Sequence, residues 1–205
     1  MPYALYIFGA IVIVAYSIIL HEVAHGAMAF HLGDDTAQSQ GRLTLNPIPH
    51  IDFFGTILLP LIMSLMAGVV FGWAKPVPYN PFRLRGQYGE LKVALAGPAT
   101  NIALAAFFAL FMRLYNGDAI SLSPLVVALL TYGVSINIWL AIFNLVPIPP
   151  LDGSKILFLF IPKDNFRLRM FLERYGIIVL VFFIFIGIKI LFPIADFLIN
   201  LLLGI

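Results

Sequence analysis

The sequence predicts an all-α polytopic membrane protein of about five to six membrane segments, with a small membrane-associated β element after the first helix. Three observations predict it. Of 205 residues, 61% are hydrophobic and 11% charged, where soluble domains are about 45–50% apolar and roughly 25% charged. Several apolar runs reach the roughly 20 residues that a helix needs to cross a hydrocarbon core about 30 Å thick. Most of the charge lies in the connections between those runs. A mean hydropathy of +1.01 leaves more apolar surface than a water-soluble fold can cover.

The elements follow in order. Apolar runs at residues 3–30, 53–71, 93–114, 124–146 and 175–192 are the candidate membrane segments. The first lacks a basic leading end and an A-x-A-like site, so it reads as a membrane helix rather than a cleaved signal peptide. Residues 194–205 are apolar but too short to span as a separate helix, and are expected in the interface or re-entering. Polar connections occupy 32–52, 72–92, 115–123 and 147–174. No internal repeat, low-complexity linker or soluble domain interrupts them, so residues 1–205 are expected to form a single intramembrane core domain. The chain has no cysteine, which excludes disulfides and thiolate metal sites. No basic cluster with interleaved aromatics points to nucleic acid.

Charge sets the orientation. Arg42, then Lys75, Arg83, Arg85 and Lys92, then Lys155, Lys163, Arg167, Arg169 and Arg174 fall in connections that one face can share. Arg113 and Lys189 sit at the ends of runs reaching the other face. The positive-inside rule places the larger group in the cytoplasm and the first residues outside. That count holds only if 53–71 makes no net crossing. Either the run re-enters, or it crosses and the chain returns extended through 72–88, where Pro76, Pro78 and Pro81 suit edge-strand or polyproline geometry. Leu43 and Leu45 alternate with polar neighbours and could pair with that return, which is the expected β element.

The first apolar run ends in SIILHEVAHGAMAF (residues 17–30). His21 and His25, at i and i+4, share one helix face, so two imidazoles can hold one ion while Glu22 reaches a water beside it. HExxH on a helix is the zinc-protease signature. A Glu between two His is costly in an apolar segment, at about 2.5–3.5 kcal/mol per charge at the bilayer centre, which argues against two packing histidines. A third ligand is needed. Asp34 and Asp35 lie in a Gly-Asp-Asp turn; Asp52, His31 and His50 are alternatives in or near the loop that follows. Asp152 lies in NLVPIPPLDGSKI, where Pro147, Pro149 and Pro150 break the preceding helix and can present a carboxylate to a buried cavity. The alternative role for Asp152 is an N-cap for the next helix.

HEVAH, the AGPATN of residues 96–101 and the NLVPIPPLDG of residues 144–153 together resemble the site-2 protease family of intramembrane zinc metalloproteases. GRLTLNPIPHIDFFG and FGWAKPVP resemble its short bacterial or archaeal branch, without the PDZ or nucleotide-sensing domain of larger members. The resemblance implies one zinc per chain, His21, His25 and Asp152 as ligands, Glu22 as catalytic base, and Asn144 as a residue assisting at the substrate carbonyl. On the residues alone, Asn144 equally suits a helix–helix hydrogen bond. Asn101 is expected to serve packing beside a close helix start at Gly97-Pro98-Ala99.

The expected function is zinc-dependent cleavage of a peptide bond in or near a transmembrane segment, either in regulated intramembrane proteolysis or in clearing signal-peptide remnants. The expected partners are a transmembrane protein or peptide and the lipid bilayer. The expected setting is a prokaryotic plasma membrane with the active site toward the cytoplasm. The competing reading is a metal-ion transporter or channel using the same His, Glu and Asp residues, which would normally show paired repeats. A structural zinc scaffold is a third, disfavoured by the absence of thiolates.

Overall fold

The structure is a computed structural model that describes residues 2–58, 61–62, 65, 74–116, 120–162 and 165–205. Helix α1 (Pro2–His31) runs without an interior proline or a charged side chain before His21. It stops where Gly33 takes a positive φ of 103°. There Gly33 N–H bonds Phe30 O and Asp34 N–H bonds Ala29 O, both at 3.0 Å, a Schellman end that closes the last carbonyls. A short helix α2 (Thr36–Ser39) and a 3₁₀ turn (Ile48–His50) follow, then a π-helical turn at Phe53–Leu58.

Helix α3 spans Gly89–Asn116 and α4 spans Pro124–Asn144. Pro124 opens α4 behind Ser123, whose side chain accepts from Val126 N–H, the usual arrangement for an N-terminus. A short helix α5 (Ser154–Phe160) comes after the proline-rich turn. Helix α6 (Phe166–Phe182), a π turn (Phe183–Gly187), a 3₁₀ turn (Ile188–Ile190) and α7 (Leu191–Leu203) then succeed one another without a break.

Among the described residues four helical runs are long and apolar enough to cross a membrane: Tyr3–His31, Gly89–Asn116, Pro124–Asn144 and Arg167–Leu203. Three expectations change. The tail is not a separate interfacial piece, because α7 continues the last crossing and packs on α3 and α4 with Ala195 buried. At 37 residues and about 1.5 Å per residue, that run is roughly 55 Å long, more than a straight crossing needs, and its π and 3₁₀ turns lie in the middle. The helix start is at Gly89, not at Gly97-Pro98, and Pro98 lies inside α3. Among the described residues there is no strand, so the β element is not seen; residues 74–80 carry no regular secondary structure.

The core is built on small residues. Ala105, Ala109, Ala141 and Ala195 are buried with Val134 and Ile138 where α3, α4 and α7 cross, the close approach that helices in lipid use in place of a hydrophobic drive. Outward faces carry exposed Phe8, Ile177 and Phe185, as an apolar solvent requires. At the far end of the bundle, the Arg113 guanidinium donates to Leu201 O at 2.6 Å and Leu202 O at 2.8 Å, closing the orphan carbonyls of α7.

Helices α1 and α3 pack closely, with the C-terminal end of α1 beside the start of α3: His25 Nδ1 donates to Val93 O. The chain therefore leaves α1 and enters α3 at the same end, and the connection between them makes no net crossing. Most of the run 53–71 lies outside the described residues.

Candidate metal centre

The His21 and His25 rings face α3 from one turn of α1 and are nearly fully buried. A buried imidazole needs its second nitrogen occupied, and here the partners decide which nitrogen carries the proton. The deduction starts at Gly133 O, which can only accept. Asn137 Nδ2 donates to it and to Ser17 Oγ, both at 2.9 Å, so Asn137 Oδ1 is an acceptor. Asn101 Nδ2 donates to that oxygen at 2.9 Å, so Asn101 Oδ1 faces His21 Nδ1 as an acceptor at 2.5 Å. His25 Nδ1 likewise donates to Val93 O at 2.7 Å. Both rings carry a proton on Nδ1, which leaves Nε2 of each as the nitrogen that can bind a metal.

The two Nε2 atoms lie 3.0 Å apart. Asp152 Oδ2 lies 3.2 Å from His21 Nε2 and 3.3 Å from His25 Nε2, and among the described residues it is buried with no other polar partner. Three ligand-capable atoms thus converge, and a cation at their focus satisfies all three. The chemistry of the set, two imidazoles and a carboxylate as three protein ligands, fits a catalytic zinc. The second nitrogens bound to an amide and a carbonyl are the outer partners such a site uses to orient its ligands.

Two glycines make room. A Cβ on Gly97 would lie 2.6 Å from His21 Cε1 and Nε2 and closer still to His25 Nε2, so the absence of a side chain at Gly97 lets α3 cross the histidines this closely. A Cβ on Gly153 would meet Leu145 O and, at 2.6 Å, Val146 O. The turn that presents Asp152 doubles back on the end of α4, held by Gly153 N–H to Asn144 O at 2.7 Å. Asp152 does not cap α5, whose N-cap is Gly153 with no side-chain bond.

Glu22 has a ligand-capable oxygen within 4.8 Å of both histidines' ligand atoms. The other candidates stay away from the cluster. Asp34 accepts from Thr36 and Asn80, Asp35 pairs with Arg83, Asp52 accepts from Gly55 N–H, His50 faces Thr44 O and His31 is exposed. Asn144 turns its amide back to Leu140 O at 2.9 Å, on its own helix. Near the site, the Tyr79 phenol is pushed up to about 12 by burial and by the charges of Glu90 and Asp152, so it stays a neutral hydroxyl.

The model of peptidase family M50 matches residues 9–187. The chain belongs to peptidase family M50. Its relatives include "Putative zinc metalloprotease YwhC" of Bacillus subtilis, 40% identical over 187 residues that cover 88% of this chain and 82% of YwhC. A protein of Methanocaldococcus jannaschii under the same zinc metalloprotease description is 32% identical over 149 residues, covering 72% of this chain and 68% of its own. Rip2 of Mycobacterium tuberculosis, described likewise, is 29% identical over 67% of this chain and 51% of its own. No solved structure matches. The M50 match takes in the HEVAH helix and the PIPPLDG turn alike.

Sequence reasoning assigned Asn101 to packing, whereas it orients His21. It passed over Asn137 and Ser17, the next links in that chain. The signal was there: an Asn within the apolar GVSINIW of a membrane helix requires a partner.

Proposed function

We propose that this M50 peptidase is a zinc-dependent intramembrane endopeptidase, with His21, His25 and Asp152 holding the metal and Glu22 as general base. The observation that carries the reading is the convergence of three ligand-capable atoms beside the Glu22 carboxylate. When bound, zinc supplies Lewis-acid polarisation of the scissile carbonyl and acidifies water.

The chain's own residues do the rest. Asn101 and Val93 O hold the two rings in the tautomer that leaves Nε2 free. Gly97 lets α3 cover the rings and keep lipid off them. Glu22 takes the proton of the attacking water and passes it to the leaving amine. Asn144 would serve the substrate carbonyl only once its amide leaves Leu140. The substrate is a transmembrane protein or peptide, whose carbonyls are tied into a helical ladder and must be locally unwound before attack. By the charge count, the site faces the cytoplasm of a prokaryotic plasma membrane.

The test is metal analysis of the purified full chain with cleavage of a test transmembrane peptide in liposomes. Wild type should carry one zinc and cleave, Glu22→Gln should carry zinc without cleaving, and Asp152→Ala should lose the zinc. Cleavage by Glu22→Gln at the wild-type rate sinks the assignment. Zinc flux into the liposomes without cleavage would favour transport instead.

A further inference from the structure

We propose that residues 75–80 form a strap that fixes the Glu22 carboxylate in its working position, and that Asp34 and Arg42 are positioning residues holding the strap. The inference rests on Glu22 being the general base. His21 and His25 share a face of α1, whereas Glu22, one residue on, is turned about 100° around the helix. A free glutamate there would sample several rotamers, most of them away from the metal. The strap supplies a tether: Val77 N–H donates to Glu22 Oε2 at 2.8 Å. A carboxylate tied through one oxygen keeps the other to accept a proton.

The strap is built to make that one contact. Pro76 and Pro78 flank Val77, so of these three residues only Val77 carries an N–H, and both prolines stiffen the path. The Val77 side chain is buried and its Cγ1 lies over Gly26, next to His25. Both ends are anchored by charge. At one end Arg42 Nη2 donates to Lys75 O at 2.8 Å and Pro76 O at 3.2 Å, while Lys75 N–H bonds His50 O at 2.9 Å. At the other, Asn80 N–H donates to Asp34 Oδ2 at 2.6 Å. Asp34 is 0% and Arg42 7% exposed. Each takes its charge out of water to hold backbone groups of a non-helical segment, an arrangement that costs solvation and makes sense where the position of that backbone matters. The Schellman turn at Gly33 carries Asp34 to this place directly from the end of the metal-bearing helix.

The test compares wild type, Glu22→Gln, Asp34→Ala, Asp34→Asn and Arg42→Ala as full chains in liposomes, reading kcat, KM and zinc per chain. Asp34→Ala and Arg42→Ala should lose about 10- to 100-fold in kcat with KM within about twofold of wild type and zinc retained. Asp34→Asn, which keeps an acceptor oxygen for Asn80 N–H, should recover most of kcat. Wild-type kcat in both alanine variants overturns the inference; so does a raised KM at unchanged kcat, or zinc lost in step with activity. An inactive Glu22→Gln beside a fully active Asp34→Ala sinks the strap alone, while an active Glu22→Gln sinks the protease reading with it.

Discussion

Gly97→Ala adds one methyl at the point where α3 crosses the two histidines. Its Cβ would lie 2.6 Å from His21 Cε1 and Nε2 and closer to His25 Nε2, and ordinary contact begins at 3.4 Å, so the rings or the helix must give way by at least 0.8 Å (3.4 minus 2.6). Zinc–imidazole bonds are about 2.0–2.1 Å long and a working site holds them to about 0.2 Å. If the rings retreat, they leave the focus they share with Asp152. If α3 retreats instead, the bonds from His25 to Val93 O and from His21 to Asn101 lengthen with it. Loss of outer partners alone costs about 10- to 100-fold in metal affinity, and displaced ligands cost more, so zinc affinity should fall at least about 100-fold. Helix propensity runs the other way, since alanine in a helix interior is better than glycine by roughly 0.5–1 kcal/mol. The fold should therefore survive while the metal is lost. Zinc affinity is read by competition with a chromophoric chelator, and the fold by the thermal midpoint in detergent. A variant that binds zinc within about threefold of wild type would refute the crossing as the determinant of the site.

Gly153→Ala should act on the third ligand: its Cβ meets backbone carbonyls of the α4 end, which cannot rotate away, so the turn carrying Asp152 shifts and zinc occupancy falls. Asp34 makes a prediction in pH. Burial opposes its charge, but the Thr36 hydroxyl, the Asn80 and Thr36 N–H groups and the Arg83 charge outweigh that and hold its carboxyl below the usual range. Its contribution to stability is therefore complete above the ordinary value of about 3.9 and lost as pH falls through the lower folded value. Thermal midpoints of wild type should drop over that acid interval more steeply than those of Asp34→Asn; equal slopes would show that Asp34 is not the group responsible.

The grouping of the site residues was legible because an ionisable cluster in an apolar helix is expensive. A His-Glu-x-x-His inside an apolar helix, and an Asp after three prolines, have few explanations other than a shared cation, and the geometry brings His21, His25 and Asp152 together. The return of the chain to the same end between α1 and α3 was legible for a similar reason, since the Lys and Arg placements admit only one parity there. Extents were not. Apolar composition cannot distinguish a crossing helix from its continuation, so residues 194–205 are expected in the interface or re-entering, whereas the run from α6 simply lengthens through π and 3₁₀ turns into α7. Nor can alternation of Leu43 and Leu45 reveal that the segment at 75–80 spends its backbone on Arg42, Asp34, His50 and Glu22 rather than on a neighbouring strand. Pairing of that kind depends on side chains distant in sequence.

The Asn101–Asn137 pair separates two costs that a buried polar network usually mixes. Both amides are fully buried, but they stand at different removes from the metal. Asn101→Leu would leave His21 Nδ1–H facing apolar surroundings. The ring then gains by shifting its proton or turning, and either change takes Nε2 away from the ion, so zinc affinity should fall about 10- to 100-fold. Asn137→Leu removes the link behind. Asn101 Nδ2 already lies 3.5 Å from Ser17 O and can turn fully to it, which keeps Oδ1 on His21. That variant should bind zinc within about tenfold of wild type yet lose about 1–3 kcal/mol of stability, because Ser17 and Gly133 lose their donor in the bundle interior. The two variants should thus invert: zinc affinity falls more in Asn101→Leu, and among zinc-free proteins Asn137→Leu melts no higher. Equal loss of zinc in both would mean that the amides orient His21 only through the packing of α1, α3 and α4, not through the hydrogen-bond chain.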